Sequence, residues 1–332
     1  MLTMNIKPAK TLFAFAACVL AVLPMARAFA AYPERIVKIV VPFAPGGGTD
    51  VVARTLAQEM AKDLGVSVII ENKPGAGTII GTQAVATSEA DGYTLLMGTF
   101  ANAVNPGLYG KLPYDQHKDF VPVALVARSF NIVVVNPASP IKSIVDLIAV
   151  AKAEPDKLSY GTYGTGTSAH LAGELFKHMA GVNLMTVPYK GAAPAITDLI
   201  GGHIQVMFTT VASCAPLVEA GQLRALAVTS AQRSPAFPQL PTVSEAGVPG
   251  YDAQAWYGLF APARTPPEIV ERLNKSAAVA VQSDAFKKLA TNEGLVLVAS
   301  PPDELDRYFH TEEERWRKVI QAAGHKPDEV SA

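Results

Sequence analysis

The sequence contains the pattern Gly-x-Gly-Thr three times, and each copy follows a strand-like apolar run and precedes a helix-like pattern. The copies lie at residues 46–49, 75–78 and 164–167. Glycine lets the backbone turn sharply and approach a ligand closely, and threonine is a favourable N-cap. The N–H groups of such a turn face the space above the strand ends, and no copy contains Lys or Arg. The motif therefore predicts an α/β fold that binds a small anion through backbone groups, although a purely structural role for the turns stays open.

The first thirty residues have the pattern of a secretory signal peptide. Lys7 and Lys10 precede an apolar run over 12–23, which is followed by Pro24 and a small-residue site at 28–30. The run is shorter than the ~18 apolar residues that a membrane span needs. We predict export and cleavage after Ala30, with a lipoprotein anchored through Cys18 as the alternative.

The charge and cysteine content limit the function of the exported chain. Removing residues 1–30 would take away three of the 28 Lys and Arg and none of the 29 acids, leaving a net charge of −4. This charge gives no support for a surface that binds nucleic acid or anionic membranes. Cys214 would have no disulfide partner, so stability is predicted to come from core burial. About 300 residues suffice for two domains.

The strand and helix patterns divide the chain into two similar units. The first unit alternates β, α, β, α, β, which predicts a parallel sheet flanked by helices. Its predicted elements are strands at 36–43, 67–72 and 93–98 and helices from Thr49 and near 78–88. The second unit is predicted to have helices at 143–153, from 168 and at 193–200 and strands at 158–160, 184–188, 204–208 and 224–229. Two helices carry matching apolar stripes, Val52, Leu56 and Met60 in one and Leu171, Leu175 and Met179 in the other.

The remaining segments are predicted to connect the two units. Residues 105–115 are predicted as a loop, and residues 121–127, 132–135 and 255–261 as strands. The last two helices, from 265 and from 300, are predicted to pack back onto the first unit. The final one would use a stripe of Leu305, Phe309, Trp316 and Ile320. Crossings near 125–131 and 230–255 favour a hinged cleft.

Other functional motifs are incomplete. Residues 164–169 fit a dinucleotide-binding turn, but the following strand lacks the acid that would contact the ribose. No Gly-Lys-Ser/Thr follows the turns, and neither G-x-S-x-G nor H-E-x-x-H is present. His170 and His178 would lie about 12 Å apart along a helix, too far to share one metal ion. We therefore predict no metal, no cofactor and no catalytic residue.

Longer segments resemble the solute-binding receptors of tripartite tricarboxylate transporters, the Bug family. The matching segments are 39–50, 71–77, 91–96, 105–109, 112–115, 170–174, 187–191, 223–229, 233–235 and 241–247. The resemblance implies a periplasmic, two-lobed α/β binding protein of type II (a Venus flytrap), with a mostly parallel sheet flanked by helices in each lobe. It also implies a receptor that passes a dicarboxylate, tricarboxylate, acidic amino acid or aromatic acid to membrane permease subunits. We expect this receptor to be a monomer and not an enzyme. We place lobe 1 at 31–127 plus 251–332 and lobe 2 at 128–250.

The resemblance and the turn pattern together define a predicted ligand site. In such receptors the carboxylate is held by main-chain groups and ordered waters from loops that match 43–49 and 164–167 here. The predicted ligand-binding residues are Phe43, Ala44, Pro45, Gly46, Gly47, Gly48, Thr49, Thr99, Phe100, Asn102, Tyr163, Gly164, Thr165, Gly166, Thr167, His170 and Thr209. Phe100 and Tyr163 could stack on an aromatic acid or simply pack at the hinge. Two alternatives remain at this point, a periplasmic enzyme that uses His170 as a base and a ligand-sensing signalling subunit.

Overall fold

The computed structural model describes residues 32–45, 48–163, 167–189 and 191–322. The predicted signal peptide and five predicted site residues, Gly46, Gly47, Gly164, Thr165 and Gly166, lie outside the described residues. Within the described ranges, none of the helices combines the length and the apolar character needed to cross a membrane.

The first unit forms the predicted parallel sheet. Strand β1 spans Val37–Val41, β2 spans Val68–Asn72 and β3 spans Thr94–Thr99. β1 lies between the other two and pairs in parallel with both. Helix α1 spans Gly48–Leu64, and α2 spans Ile79–Ala86 after a short 3-10 turn at Ala76–Thr78. The predicted stripe of Val52, Leu56 and Met60 is buried, which confirms its core-facing role.

A single long strand connects the two halves of the sheet. Residues predicted as two strands form one strand, β4, over Phe120–Val135. Its first part pairs antiparallel with β9, Gln254–Pro262, and its last five residues pair antiparallel with β7, Val206–Thr210. The continuous backbone pairing explains why no break occurs near residue 130.

The second half repeats the parallel core. Strand β5, Ser159–Thr162, pairs in parallel with β6, Met185–Pro188, and with β7. The strand order is β2-β1-β3-β9-β4-β7-β5-β6, and two more strands, β8 at Arg224–Val228 and β10 at Val296–Leu297, pair with β4. Each half therefore has three parallel strands, extended by antiparallel strands. The flanking helices are α4 at Ile144–Ala153, α5 at Ser168–Ala180, α6 at Ala192–Ile200 and α7 at Val211–Glu219.

The structure corrects the first part of the predicted loop at 105–115, whereas residues 109–115 form no helix or strand. Helix α3 spans Phe100–Leu108 and includes Pro106 in its interior. A capping box starts it, because Thr99 Oγ1 accepts from the N–H of Ala101 at 3.3 Å and Asn102 Oδ1 accepts from the N–H of Thr99 at 2.9 Å. The strong N-terminal cap favours a helix that the interior proline had argued against.

One predicted core position is also wrong. Met179 is 38% exposed, whereas Leu171 and Leu175 are buried as predicted. Phe176 occupies the core instead, with its ring 5.6 Å from that of Phe208. In its last turns, α5 therefore faces the core with Phe176 and not with Met179.

Three C-terminal helices pack on the first unit, where the sequence predicts two, from 265 and from 300. They are α8 at Pro267–Val281, α9 at Asp284–Glu293 and α10 at Pro302–Ala322. All four members of the predicted α10 stripe are at most 3% exposed. Trp316 packs edge-on against Phe100 of α3 with ring centroids 4.8 Å apart, and its indole N–H donates to Glu312.

Trp316→Ala should therefore lower the free energy of unfolding strongly. Removal of a fully buried aromatic side chain costs about 3–5 kcal/mol. Urea denaturation followed by fluorescence or circular dichroism measures this loss. Val279→Ala removes an apolar side chain that is 56% exposed and serves as the control. Equal losses in the two variants would contradict the assigned role of α10.

Candidate functional site

A cavity of about 520 Å³ lies above the strand ends. Seven segments of the chain supply its walls. The lining residues are Pro42, Phe43, Ala44, Gly48, Thr49, Pro74, Gly75, Gly77, Thr78, Thr99, Phe100, Ala101, Asn105, Leu108, Tyr109, Tyr163, Thr167, Ser168, Ala192, Thr210, Ser213, Ala255, Trp256 and Tyr257. Among these described residues there is no Asp, Glu, Lys, Arg or His. The wall therefore offers hydroxyl groups, backbone amides and aromatic rings to a ligand.

Six helices begin at this cavity. Their first residues or N-caps in the lining are Gly48 of α1, Thr78 of α2, Thr99 of α3, Thr167 of α5, Ala192 of α6 and Thr210 of α7. The first N–H groups of a helix have no partner within the helix, and the helix dipole places positive potential there. The convergence gives the cavity an electropositive wall without requiring a cationic side chain.

A buried polar cluster fixes the loop before α1. The Asp50 carboxylate accepts from Arg54 Nε and from Asn72 Nδ2, both at 2.8 Å. Asn72 Nδ2 also donates to the carbonyl of Phe43 at 3.1 Å. Asn72 at the end of β2 thus ties the first turn of α1 to the loop that follows β1.

A second cluster anchors α5. The Thr167 hydroxyl oxygen accepts from the N–H of His170 at 3.3 Å and caps the helix. Two turns on, Glu174 accepts from Tyr160 Oη at 2.6 Å, from Lys177 Nζ at 3.0 Å and from Thr186 Oγ1 at 3.1 Å. Burial alone would raise the pKa of Glu174, but the hydrogen bonds from Tyr160 and Lys177 outweigh it and lower the pKa below its ordinary value.

Tyr163 forms a rigid part of the wall near α7. Its hydroxyl donates to Thr209 Oγ1 at 2.6 Å and accepts from the N–H of Thr210 at 3.0 Å. Burial raises the pKa of Tyr163 to about 12 and that of Tyr257 to about 12. Both phenols are therefore neutral at physiological pH and act as hydrogen-bonding groups rather than as bases.

The structure brings about half of the predicted site residues to the cavity. The predicted residues in its lining are Phe43, Ala44, Gly48, Thr49, Thr99, Phe100, Tyr163 and Thr167. Phe100 is only 4% exposed because its ring packs on Trp316, which limits its contact with a ligand.

Four predicted site residues lie outside the lining. Pro45 and His170 are absent from it, and Thr209 is buried beneath Tyr163. Asn102 is 1% exposed because its side chain caps α3 and donates to Thr82. These two buried polar residues support the wall from behind.

Sequence reasoning missed one complete wall, the turn that carries the second Gly-x-Gly-Thr copy. Gly75, Gly77 and Thr78 of that turn line the cavity together with Asn105 and Tyr109. The repeated motif was itself the signal for this wall. In the described part of the chain, no cluster of three or more His, Cys, Asp or Glu could hold a metal ion.

Comparison with known families agrees with this geometry. A family model described as the tripartite tricarboxylate transporter family receptor matches residues 52–325. The chain belongs to this receptor family. BugT of Bordetella pertussis is 38% identical over 297 residues, which cover 89% of this chain and 91% of that protein.

Solved structures of other receptors of this kind share the fold. Rpa4515 of R. palustris, solved with adipate, superposes with a TM-score of 0.80 and 40% identity, covering 90% of this chain and all of that one. MatC of Rhodopseudomonas palustris, solved with bound malate, has a TM-score of 0.77 and 33% identity over 87% of this chain and all of that one. The predicted two-lobed α/β receptor fold is thereby confirmed.

Glu174→Gln should flatten the acid side of the stability profile. Because the folded pKa of Glu174 lies below its unfolded value of about 4.3, its contribution is present above that pH and is lost as pH falls through the folded pKa. The free energy of unfolding of the wild type should thus decrease more steeply below about pH 5 than that of the variant. Urea titrations at several pH values measure the two slopes. Glu154→Gln, at a half-exposed ion pair with Lys157, is the control, because an exposed ion pair contributes little to the free energy of unfolding.

Proposed function

We propose that this chain is a periplasmic receptor that captures a small carboxylate between its lobes and delivers it to the permease subunits of a tripartite tricarboxylate transporter. The observation that carries the proposal is the convergence of six helix N-termini on a cavity whose described wall is uncharged. Such a wall attracts an anion through backbone N–H groups, without an ion pair to a charged side chain of the described lining. That is the behaviour expected of a receptor that must release its cargo.

The available interactions suffice for tight but reversible binding. A helix N-terminus stabilises a partly buried anion by about 0.3–2 kcal/mol. A hydrogen bond from a backbone N–H to a carboxylate contributes about 1.5–3 kcal/mol. A few of these together reach the roughly −8 kcal/mol of a micromolar complex.

We further propose that the ligand joins the two lobes. With lobe 1 at 31–127 plus 251–332 and lobe 2 at 128–250, Gly48 and Thr49 belong to the first lobe and Thr167 and Thr210 to the second. A carboxylate that contacts both sets binds the closed form better than the open form and shifts the population toward closure. The closed form would present the surface that the permease recognises.

The relatives favour a carboxylate cargo. Rpa4515 and MatC, the receptors solved with adipate and malate, share 40% and 33% of their residues with this chain. Both of those ligands are small organic acids. We infer the same ligand class here, with the membrane permease subunits as the second partner and a monomer as the working form.

An enzymatic role receives less support than binding. His170, the candidate base, does not belong to the cavity lining, and the pKa of the lining phenols Tyr163 and Tyr257 is raised to about 12. Both phenols are therefore protonated at neutral pH and are unsuited to act as general bases. We propose a receptor without catalytic activity and without a cofactor.

A thermal-shift screen of carboxylic acids with the purified mature chain tests the receptor proposal. We expect the melting temperature to rise with one or a few acids, since a ligand that binds only the folded state stabilises it. Calorimetry then gives the affinity, and chromatography of the acid after incubation shows whether it is converted. Turnover of the acid, or the absence of any stabilising carboxylate, would contradict the proposal.

Thr167→Ala should weaken carboxylate binding as well as the start of α5. Loss of an N-cap hydroxyl lowers the free energy of unfolding by about 1 kcal/mol. Loss of the ordered helix start at the cavity should also lower affinity by about tenfold, equivalent to one hydrogen bond to a charged group. Ser143→Ala removes a comparable cap from α4, where Ser143 Oγ accepts from the N–H of Asp146, and α4 does not reach the cavity. Calorimetry should show the affinity loss for Thr167→Ala alone.

A further inference from the structure

The two crossings between the proposed lobes are bound to each other. Strand β4 leaves lobe 1 at residues 127–128 and stays paired with β9 up to Phe130. Next to this pairing, the Thr229 hydroxyl accepts from the N–H of Asn131 at 2.8 Å and donates to the carbonyl of Ala253 at 2.8 Å. The crossings therefore form one ribbon, which can bend or twist but whose strands stay together.

The lobes also touch beside this ribbon, where Gly294 of lobe 1 meets Val211 of lobe 2. Both residues are buried. A Cβ placed on Gly294 would lie 2.6 Å from Val211 Cγ2 and 3.0 Å from Val211 Cβ and Cγ1. Carbon atoms in contact are normally about 3.5–4.0 Å apart. The valine side chain therefore packs directly on the glycine backbone, and the contact leaves no room for a side chain on Gly294.

Gly294 is attached to lobe 1 on both sides along the chain. It caps the end of α9, which contacts α1 and α8, and its N–H donates to the carbonyl of Ala290. The strand that follows it, β10, pairs with Ala127 and Arg128 of β4. Gly294 is therefore held next to the point where β4 leaves lobe 1.

Val211 is attached to lobe 2 and lies close to the cavity. It is the first residue of α7, and it belongs to a hydrophobic cluster whose buried members all come from residues 130–240. The preceding residue, Thr210, pairs with Asn131 of β4. Thr210 and Ser213, on either side of Val211 in the chain, both line the cavity. The contact with Gly294 therefore lies on the cavity side of the ribbon.

The end of a helix explains glycine at position 294 only in part. Gly294 and Gly181 both end a helix in the left-handed conformation, with φ of 65° and 62°. Gly181, however, has no atom within 4 Å of its Cβ position. The helix end does not require such a close approach, so the contact with Val211 is a separate property of Gly294.

We propose that the Gly294–Val211 contact is the fulcrum of lobe closure, a steric stop that sets the angle at which the two lobes meet. The proposal rests on the receptor function and the lobe boundaries proposed above. A methyl group added at this contact separates the two surfaces by about 1 Å. Because the contact lies on the cavity side of the ribbon, the separation opens the cleft and increases toward its rim. The cleft then closes less completely, although no residue of the cavity lining has changed.

The effect on binding acts through the population of the closed form. If ligands bind that form, a lower closed fraction weakens every ligand by the same factor. We expect Gly294→Ala to lower the affinity for each acid that the wild type binds by about tenfold, to an equal extent for all of them. Damage to an individual ligand contact would instead change the affinities unequally.

The distance between two spin labels measures the fulcrum without a ligand. Gln83 of α2 and Thr197 of α6 are exposed, lie in different lobes and follow helix starts at the cavity. Nitroxide labels are attached to cysteines introduced at these two positions of the purified mature chain. Cys214 stays unlabelled, because it is fully buried and burial raises its pKa to about 12. Double electron–electron resonance should show a label distance longer by more than about 1 Å in Gly294→Ala than in the wild type.

Three further variants separate the fulcrum from the local backbone. Gly181→Ala places the same methyl at a left-handed helix end without a contact, so it should lose stability but keep the wild-type label distance and affinities. Gly294→Ala combined with Val211→Ala removes both γ-carbons that the new methyl meets, and should restore the label distance and bring the affinities to within about threefold of wild type. Val211→Ile enlarges the contact without strain at Gly294 and should also lengthen the distance, which tests the fulcrum even if Gly294→Ala does not fold.

Calorimetry with malate, adipate, succinate, citrate and benzoate gives the affinities. An unchanged label distance in the folded Gly294→Ala or Val211→Ile variant overturns the fulcrum, and so does a double variant that remains as open as Gly294→Ala. Unequal losses among the acids show that the substitution disturbs the ligand site itself and also overturn it. A wild type that binds no acid of the panel overturns the carboxylate receptor, whereas the label distances still decide the fulcrum.

Discussion

The proposed function imposes one central constraint, which is to bind an anion in a cavity whose described wall carries no charged side chain. Helix N-termini are the remaining source of positive potential, and each acts only over its first turn. Several helix N-termini must therefore converge on the same cavity, and the turns that precede these helices must be rigid. The buried pair Asp50–Asn72 supplies that rigidity in the first turn of α1, and Glu174–Tyr160 anchors α5 two turns beyond its start.

The architecture brings these helix starts together from distant parts of the sequence. Both parallel cores end at the same cavity because β4 continues from one half of the sheet into the other without interruption. Helix α10 returns at the end of the chain and packs Trp316 against Phe100 at the start of α3. Phe100 therefore belongs both to the hydrophobic core and to the wall of the site.

The local patterns predicted most of the fold. Strands with continuous apolar runs and helices with regular stripes were located within a few residues of their observed bounds, since burial acts directly on those patterns. Helices α3, α7 and α9 were missed, and two of them contain an interior proline, Pro106 in α3 and Pro216 in α7. Packing against neighbouring elements outweighs the local cost of proline there, and a single sequence does not reveal that packing.

The sequence by itself determined the alternation of strands and helices, the three glycine turns and the absence of a catalytic or metal-binding motif, because these depend on residues close together in the chain. Only the tertiary structure decided which groups meet at the cavity. It buried Asn102 and Thr209 behind the wall. It also made the second glycine turn part of the site, where the turn is held by Asn105, a residue about thirty positions later in the chain. Such contacts depend on the path of the backbone in space, which no local pattern encodes.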